Sequence, residues 1–169
     1  MLKYQRTDSD ELIVDVFSDS DWADELHRRS RGGYLIFVNK QLIDWRAWIH
    51  STISLSSTEA ELVSATEAMT QLRYLLFILQ DFGQTPTAIT LHLDNKAAIQ
   101  SITNPVVTNR TKHLDVKVKY LRLLHDANVF RVEWVSSMNN PADALTKMST
   151  REQFERHCFF MFNGSFPTS

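Results

Sequence analysis

From Ser54 to Gly83 the chain reads SLSSTEAELVSATEAMTQLRYLLFILQDFG, and its apolar residues recur at helical spacing. Glu61, Ala65, Ala68, Leu72, Leu75 and Leu79 fall on one stripe, with Leu62, Met69 and Leu76 beside it. A helix of this length must bury that stripe against a core, yet the stripe begins with a carboxylate. Glu59 heads a line through Val63, Thr66 and Thr70, and Glu67 one through Gln71 and Tyr74, so those two belong on the wetter side. Glu61 is expected to point inward. Two explanations stand open. A first-turn acid complements the helix dipole, or the carboxylate meets a metal ion or another charge at the edge of the core. Ser57 or Thr58 is the expected N-cap, and Gly83 the stop.

At 169 residues, 43% hydrophobic and 22% charged, the chain has the balance of one globular domain rather than of a disordered segment. It has no uninterrupted apolar run of about 18 residues and no signal-peptide pattern, which argues against membrane insertion and secretion. The single Cys158 excludes an internal disulfide and fits a reducing, intracellular setting. The formal net charge of −2 provides no global attraction to nucleic acid. Basic residues nevertheless cluster in RTKHLDVKVKYLR, where Arg110, Lys112, Lys117, Lys119 and Arg122 face only Asp115. Such a run is either a solvated helix face or a phosphate-binding one.

The remaining elements follow from periodicity and punctuation. ELIVDVFSDSD alternates and is expected to form a strand ending near Asp19. GGYLIFVNKQLIDWRAWI reads as two strands joined by a tight turn at Asn39 and Lys40. After the long helix, AITLHLDN is a strand with Ile89, Leu91 and Leu93 on one face and Asp94 at its end. KAAIQSI and KHLDVKVKYLRLLHD are helices, the second facing inward through Leu114, Val118, Leu121 and Leu124. NVFRVEWVS is a fifth strand, NPADALTKM a short helical stretch, and TREQFERHCFFMF a final amphipathic helix. The order β-β-β-α-β-α-α-β-α-α implies a mixed five-stranded sheet with helices on its faces.

In such sheets functional groups gather at the carboxyl ends of strands. Asp19 and Asp94 occupy strand ends, Glu61 lies near a helix start, and Asp143 opens the helix after the last strand. Four carboxylates on four elements suit hard divalent cations, which take oxygen ligands and act in pairs on phosphodiesters.

The motifs FSDSDWAD, RRSRGGYLIFVN, IDWRAW, SLSSTEAELVSATEA, LHLDNKAAI, NPVVTNRTKHLDVK and NPADALTK occur in this order. Together, from about Val14 to Lys147, they resemble the ribonuclease H domain of Ty1/copia-type LTR retrotransposons, the C-terminal domain of the reverse transcriptase. The resemblance implies an α/β ribonuclease H-like fold over residues 13–148. It casts residues 1–12 as a join to an upstream reverse transcriptase, and 149–169 as a C-terminal helix and tail. It also implies metal-dependent hydrolysis of the RNA strand of RNA:DNA hybrids, in cytoplasmic retrotransposon particles or in the nucleus.

By motif, Asp19, Glu61, Asp94 and Asp143 take the catalytic, metal-binding positions for two Mg2+ ions, with Mn2+ able to substitute. Asp21 rivals Asp19 if the strand runs two residues further, and Glu59 rivals Glu61. Arg110, Lys112 and Lys117 become candidate phosphate contacts. Arg28, Arg29 and Arg31 join them unless they form only a polar loop. The implied partners are the hybrid and the polymerase domain of the same polyprotein, with no membrane.

The chain departs from the cellular enzymes in one respect. VSSMNNPAD lacks the His that those enzymes usually carry before the last catalytic Asp. A catalytically inactive module that binds nucleic acid or a protein partner is the alternative. An integrase or transposase of the same broad fold is a third reading, less favoured because those usually assemble three acids. Trp22, Trp45, Trp48 and Trp134 are candidates for stacking on bases, though Trp45 and Trp134 sit in strand patterns that favour the core. The six His show no zinc-ligand spacing.

Overall fold

Strand β1 (Ile13–Asp21) is the centre of the architecture, because every other strand is placed by it. It pairs antiparallel with β2 (Arg31–Val38) and parallel with β4 (Ala88–Leu93). Beyond β2 lies β3 (Gln41–Ile49), antiparallel, and beyond β4 lies β5 (Arg131–Trp134), parallel, giving the sheet order β3-β2-β1-β4-β5. This computed structural model describes residue 4 and residues 11–22, 29–104 and 115–165. Most of the 1–12 join, Arg28, Arg110, Lys112 and Leu114 lie outside the described residues.

Two parallel pairings need crossover connections. Helix α1 (Ser57–Asp81) makes the first, and α2 (Lys96–Thr103) with α3 (Asp115–Asp126) the second. Helix α4 (Asp143–Thr146) follows a 3-10 turn at Ser137–Asn139, and α5 (Arg151–Asn163) closes the chain. The order expected from sequence is the order found. β1 does not alternate in exposure, since Val14, Val16, Phe17, Ser18, Asp19 and Ser20 are all buried. Both of its faces are covered, which removes the usual half-buried pattern.

On one face the α1 stripe of Ala65, Ala68 and Leu72 packs with Leu62 and Met69 against Val14, Val16, Ile36, Leu91 and Leu93, joined by Val118 and Leu121 from α3. On the other, Phe17, Leu35, Phe37 and Leu42 meet Ala142, Leu145, Phe160 and Met161 from the α4 and α5 region. The tight turn between β2 and β3 falls at Asn39 and Lys40, both with positive φ of 47° and 65°, as a two-residue hairpin matching the sheet twist requires. No helix among the described residues is long and apolar enough to cross a membrane.

Three expectations are corrected. β1 runs to Asp21 rather than ending near Asp19. The N-cap of α1 is Ser56, not Ser57 or Thr58: its hydroxyl accepts from the Glu59 backbone N–H at 3.1 Å. Trp45 and Trp134 are 52% and 53% exposed rather than core. Both lie on edge strands, and their strand patterns carried no information about which stretch of sheet a helix would leave uncovered.

Because Ser56 satisfies an otherwise orphaned helix N–H, Ser56→Ala is expected to lower stability by about 1 kcal/mol. Ser57→Ala, one position inside the helix, is expected to change it by only a few tenths. Urea denaturation of both variants beside the parent decides which serine is the cap.

Candidate functional site

The site begins with a carboxylate that has no exposure. Asp19 lies near the end of β1, two residues beyond Phe17, and therefore projects to the α4 side of the sheet. Its register partner on β2 is Gly33. A Cβ at Gly33 would lie 2.8 Å from Leu145 Cβ and 3.0 Å from Thr146 Cγ2, so the missing side chain lets α4 sit directly on the strands. The neighbouring pair is Ser20 with Gly32, where a Cβ would meet Trp48, Ser64 and His50 within 2.7 Å. The consecutive glycines of RGGY thus admit close neighbours on opposite faces. Asn140 ties the loop before α4 to β1 by donating to the Ser18 carbonyl at 2.9 Å, and its own Oδ1 accepts from the Ala142 N–H.

Glu61 comes from α1 on the opposite face and is 4% exposed. The Ser20 backbone N–H and hydroxyl both donate to its Oε1, at 3.0 and 3.1 Å, while its Oε2 is buried without a partner among the described residues. Asp94 follows β4, where the Ser137 hydroxyl donates to its Oδ2 at 2.7 Å and Trp134 Nε1 to its carbonyl at 3.1 Å. Asp19, Glu61 and Asp94 each offer a ligand oxygen, and these oxygens lie within 4.8 Å of one another. Three acids far apart in sequence are thus gathered where β1 and β4 end. Asp143 stands apart from this group. Its Oδ1 lies 2.6 Å from Lys147 Nζ, and the same ammonium lies 3.3 Å from Asp19 Oδ1.

The rival acids go elsewhere. Asp21 is only partly buried and outside the triad, although β1 does extend to it. Glu59 accepts from the Leu55 N–H at 2.7 Å and so braces the start of α1. Glu67 pairs with Arg46 of β3. Lys117 is partly buried on α3, where with Arg73, Tyr74 and Tyr120 it lines a groove between α1 and α3, whereas Arg29 is exposed. Arg122 of the same basic run donates to the Ser101 carbonyl at 2.7 Å.

Sequence reasoning missed Thr146 and Lys147. The Thr146 hydroxyl donates to Asp19 Oδ2, and Lys147 follows Asp143 by four residues, a spacing that does bring an acid and a base together on a helix. That spacing was the available signal for the Asp143 contact, but nothing local marked Asp19 as a partner of either residue.

The electrostatics are those of a buried acid cluster with one ammonium, Lys147, at its edge. Burial raises the Asp19 carboxyl to about 6, with Lys147 and Thr146 opposing the rise and Asp94 and Asp143 adding to it. Burial also pushes Glu61 well above the usual carboxylate range, and the charges of Asp19 and Asp94 push it further. The residues fit divalent cations. The donor set is all oxygen, as hard cations prefer, and the partnerless Glu61 Oε2 is a buried acceptor that such an ion would satisfy.

No protein-family model matches the chain. It is 33% identical over 144 residues to the retrovirus-related Pol polyprotein from transposon TNT 1-94 of Nicotiana tabacum, covering 85% of this chain and 11% of that polyprotein. It is 30% identical over 146 residues to the retrovirus-related Pol polyprotein from transposon RE2 of Arabidopsis thaliana, covering 85% and 10%. With the Transposon Ty1-JR2 Gag-Pol polyprotein of Saccharomyces cerevisiae it shares 26% over 133 residues, covering 78% and 8%. The chain spans about a tenth of the length of these curated relatives.

Among solved structures, a ribonuclease H1 isolated from compost matches with a TM-score of 0.60 at 13% identity, over 89% of this chain and 99% of that one. The N-terminal ribonuclease H domain of a Mycobacterium tuberculosis protein matches at 0.58 and 15%, over 88% and 97%. A foamy viral protease-reverse transcriptase in complex with RNA/DNA hybrid matches at 0.56 and 12%, over 86% of this chain and 22% of that one.

Raised carboxyl pKa values have a definite sign in stability. The folded protein holds protons that the unfolded chain releases, so the stabilisation is present at low pH and is lost as pH rises through about 6 for Asp19, with the raised Glu61 carboxyl acting in the same direction. In chelator, the thermal midpoint is expected to fall as pH rises from about 4 through about 6, and to fall less in Glu61→Gln. A parent midpoint that is flat or rising over this window would refute the assignment.

Proposed function

From a chain homologous over most of its length to the Pol polyproteins of Ty1/copia-type retrotransposons, and folded as a ribonuclease H domain, we propose a metal-dependent endonuclease that hydrolyses the RNA strand of RNA:DNA hybrids. The observation that carries this reading is the approach of Asp19, Glu61 and Asp94, from three separate elements, to within 4.8 Å. Such crowding of buried acids is costly unless cations share the site.

A pair of divalent cations would supply an activated water on one side of the phosphorus and charge stabilisation of the leaving oxygen on the other. Asp19, Glu61 and Asp94 would hold them, with Asp143 joining from α4. Ser20 fixes Glu61 through Oε1, and Ser137 fixes Asp94 through Oδ2. Ser137 belongs to the loop that lacks the His of cellular enzymes, so that loop still touches a carboxylate of the site.

Hybrid binding falls to basic and aromatic groups on the elements around the sheet. Lys96 Nζ stands 4.9 Å from the ring centroid of Trp134, beside Asp94, and Lys117 lies with Arg73 between α1 and α3. Arg29, Arg110 and Lys112 remain proposed phosphate contacts. The partner domain is the polymerase of the same polyprotein, a context supported by the reverse transcriptase among the fold neighbours.

Cleavage of a labelled RNA:DNA hybrid with Mg2+, with Mn2+ and with chelator tests the reading. Asp94→Asn is expected to reduce cleavage by about a hundredfold or more, the scale of losing a transition-state charge stabiliser, while hybrid affinity stays within a few-fold because phosphate contacts dominate it. Binding without cleavage in the parent under either metal would favour the non-catalytic module. Unchanged cleavage in Asp94→Asn would remove Asp94 from the site.

Lys117→Ala is expected to weaken binding equally across hybrid sequences and to reduce the salt slope by about one unit. Affinity against salt concentration for this variant and the parent reads the effect directly.

A further inference from the structure

The two sides of the acid cluster are satisfied in different ways. Glu61 leaves Oε2 buried without a partner among the described residues. Asp19, in contrast, has the Thr146 hydroxyl on Oδ2 and Lys147 Nζ 3.3 Å from Oδ1. The same ammonium lies 2.6 Å from Asp143 Oδ1, so one tethered cation bridges an acid of β1 and an acid of α4. The Lys147 side chain is 36% exposed while that of Asp19 has no exposure. The ammonium can therefore leave the pair for solvent by rotating its stem, whereas the carboxylate cannot move away.

A compact positive charge between two carboxylates stands where a divalent ion shared by them would have to compete with it. We propose that Lys147 is an exchangeable internal cation. It holds Asp19 and Asp143 together when no divalent ion lies between them and yields its place when one binds. The Asp19–Asp143 side is consequently the weaker of the two and fills after the Glu61–Asp94 side. This rests on the reading of these acids as metal ligands.

Mn2+ binding to the full chain, followed by electron paramagnetic resonance and calorimetry without nucleic acid, tests the exchange. A unit charge about 4 Å from a cation is worth several-fold in affinity even at the dielectric of water and far more in a shielded site. Lys147→Met is therefore expected to tighten the weaker Mn2+ site about tenfold or more and to leave the tighter one little changed. Its metal-free thermal midpoint is expected to fall, and the rise on adding Mn2+ to exceed that of the parent. Lys147→Arg, which keeps a cation, is expected to retain a weak second site.

Equal Mn2+ affinities in the parent and Lys147→Met would overturn the exchange and leave the nuclease reading standing. No Mn2+ binding in either would overturn the metal reading itself. Should Lys147→Met fail to fold, the parent decides. Mg2+ is expected to raise the rate at which an amine reagent modifies Lys147 several-fold relative to the exposed Lys40, and an unchanged ratio overturns the proposal.

Discussion

A carboxylate with no solvent exposure at the end of the central strand is the constraint that organises this protein. Asp19 cannot be left alone there, because a buried charge must be paired, hydrogen-bonded or neutralised. Each neighbouring element answers that need. Gly33 lets α4 approach so that Thr146 and Lys147 reach Asp19, and Asn140 fixes the loop that delivers α4. On the other side Gly32 makes room for Trp48, His50 and Ser64 beside β1. Remove either close approach and the strand end becomes an ordinary polar edge.

Helix α1 serves stability and site with one stripe. Its apolar portion, Ala65, Ala68 and Leu72, anchors it across the sheet, and the same helical phase carries Glu61 to the rim, where Ser20 receives it with two hydrogen bonds. The helix dipole is not the reason for the inward-facing acid, since the first-turn acid of α1 is Glu59. Glu61 does sit in the early turns of the helix, but it is buried against two other carboxylates, which no dipole interaction of a few tenths to about 1 kcal/mol would justify. The packing energy of the stripe is what holds it in an unfavourable place, as strain at functional sites is generally held by the rest of the fold.

The charge pattern of the surface is local rather than global. A chain of net charge −2 places an acidic centre at the strand ends and basic groups such as Lys96, Arg73 and Lys117 on the adjoining helices. Cations on the helices and acids at the strand ends thus occupy separate parts of the surface. Exposure of Trp134 beside Asp94 fits the same division, since its ring is covered by Lys96 rather than by core.

Much of this was legible in the amino-acid order. The five strands and their intervening helices, the Asn39–Lys40 turn and the inward phase of Glu61 all follow from periods of 2 and 3.6 and from turn chemistry, which act within a few residues. Motif order pointed to Asp19, Glu61, Asp94 and Asp143, of which the first three come together. What only the tertiary structure decided concerns contacts across long stretches of chain. The bridging of Asp19 and Asp143 by Lys147, the capture of Glu61 by Ser20 and the exposure of Trp45 and Trp134 depend on which element lies against which. A local period tells which way a side chain points from its own element. It holds no record of the neighbour that comes to meet it, because that neighbour is chosen by the packing of the whole chain.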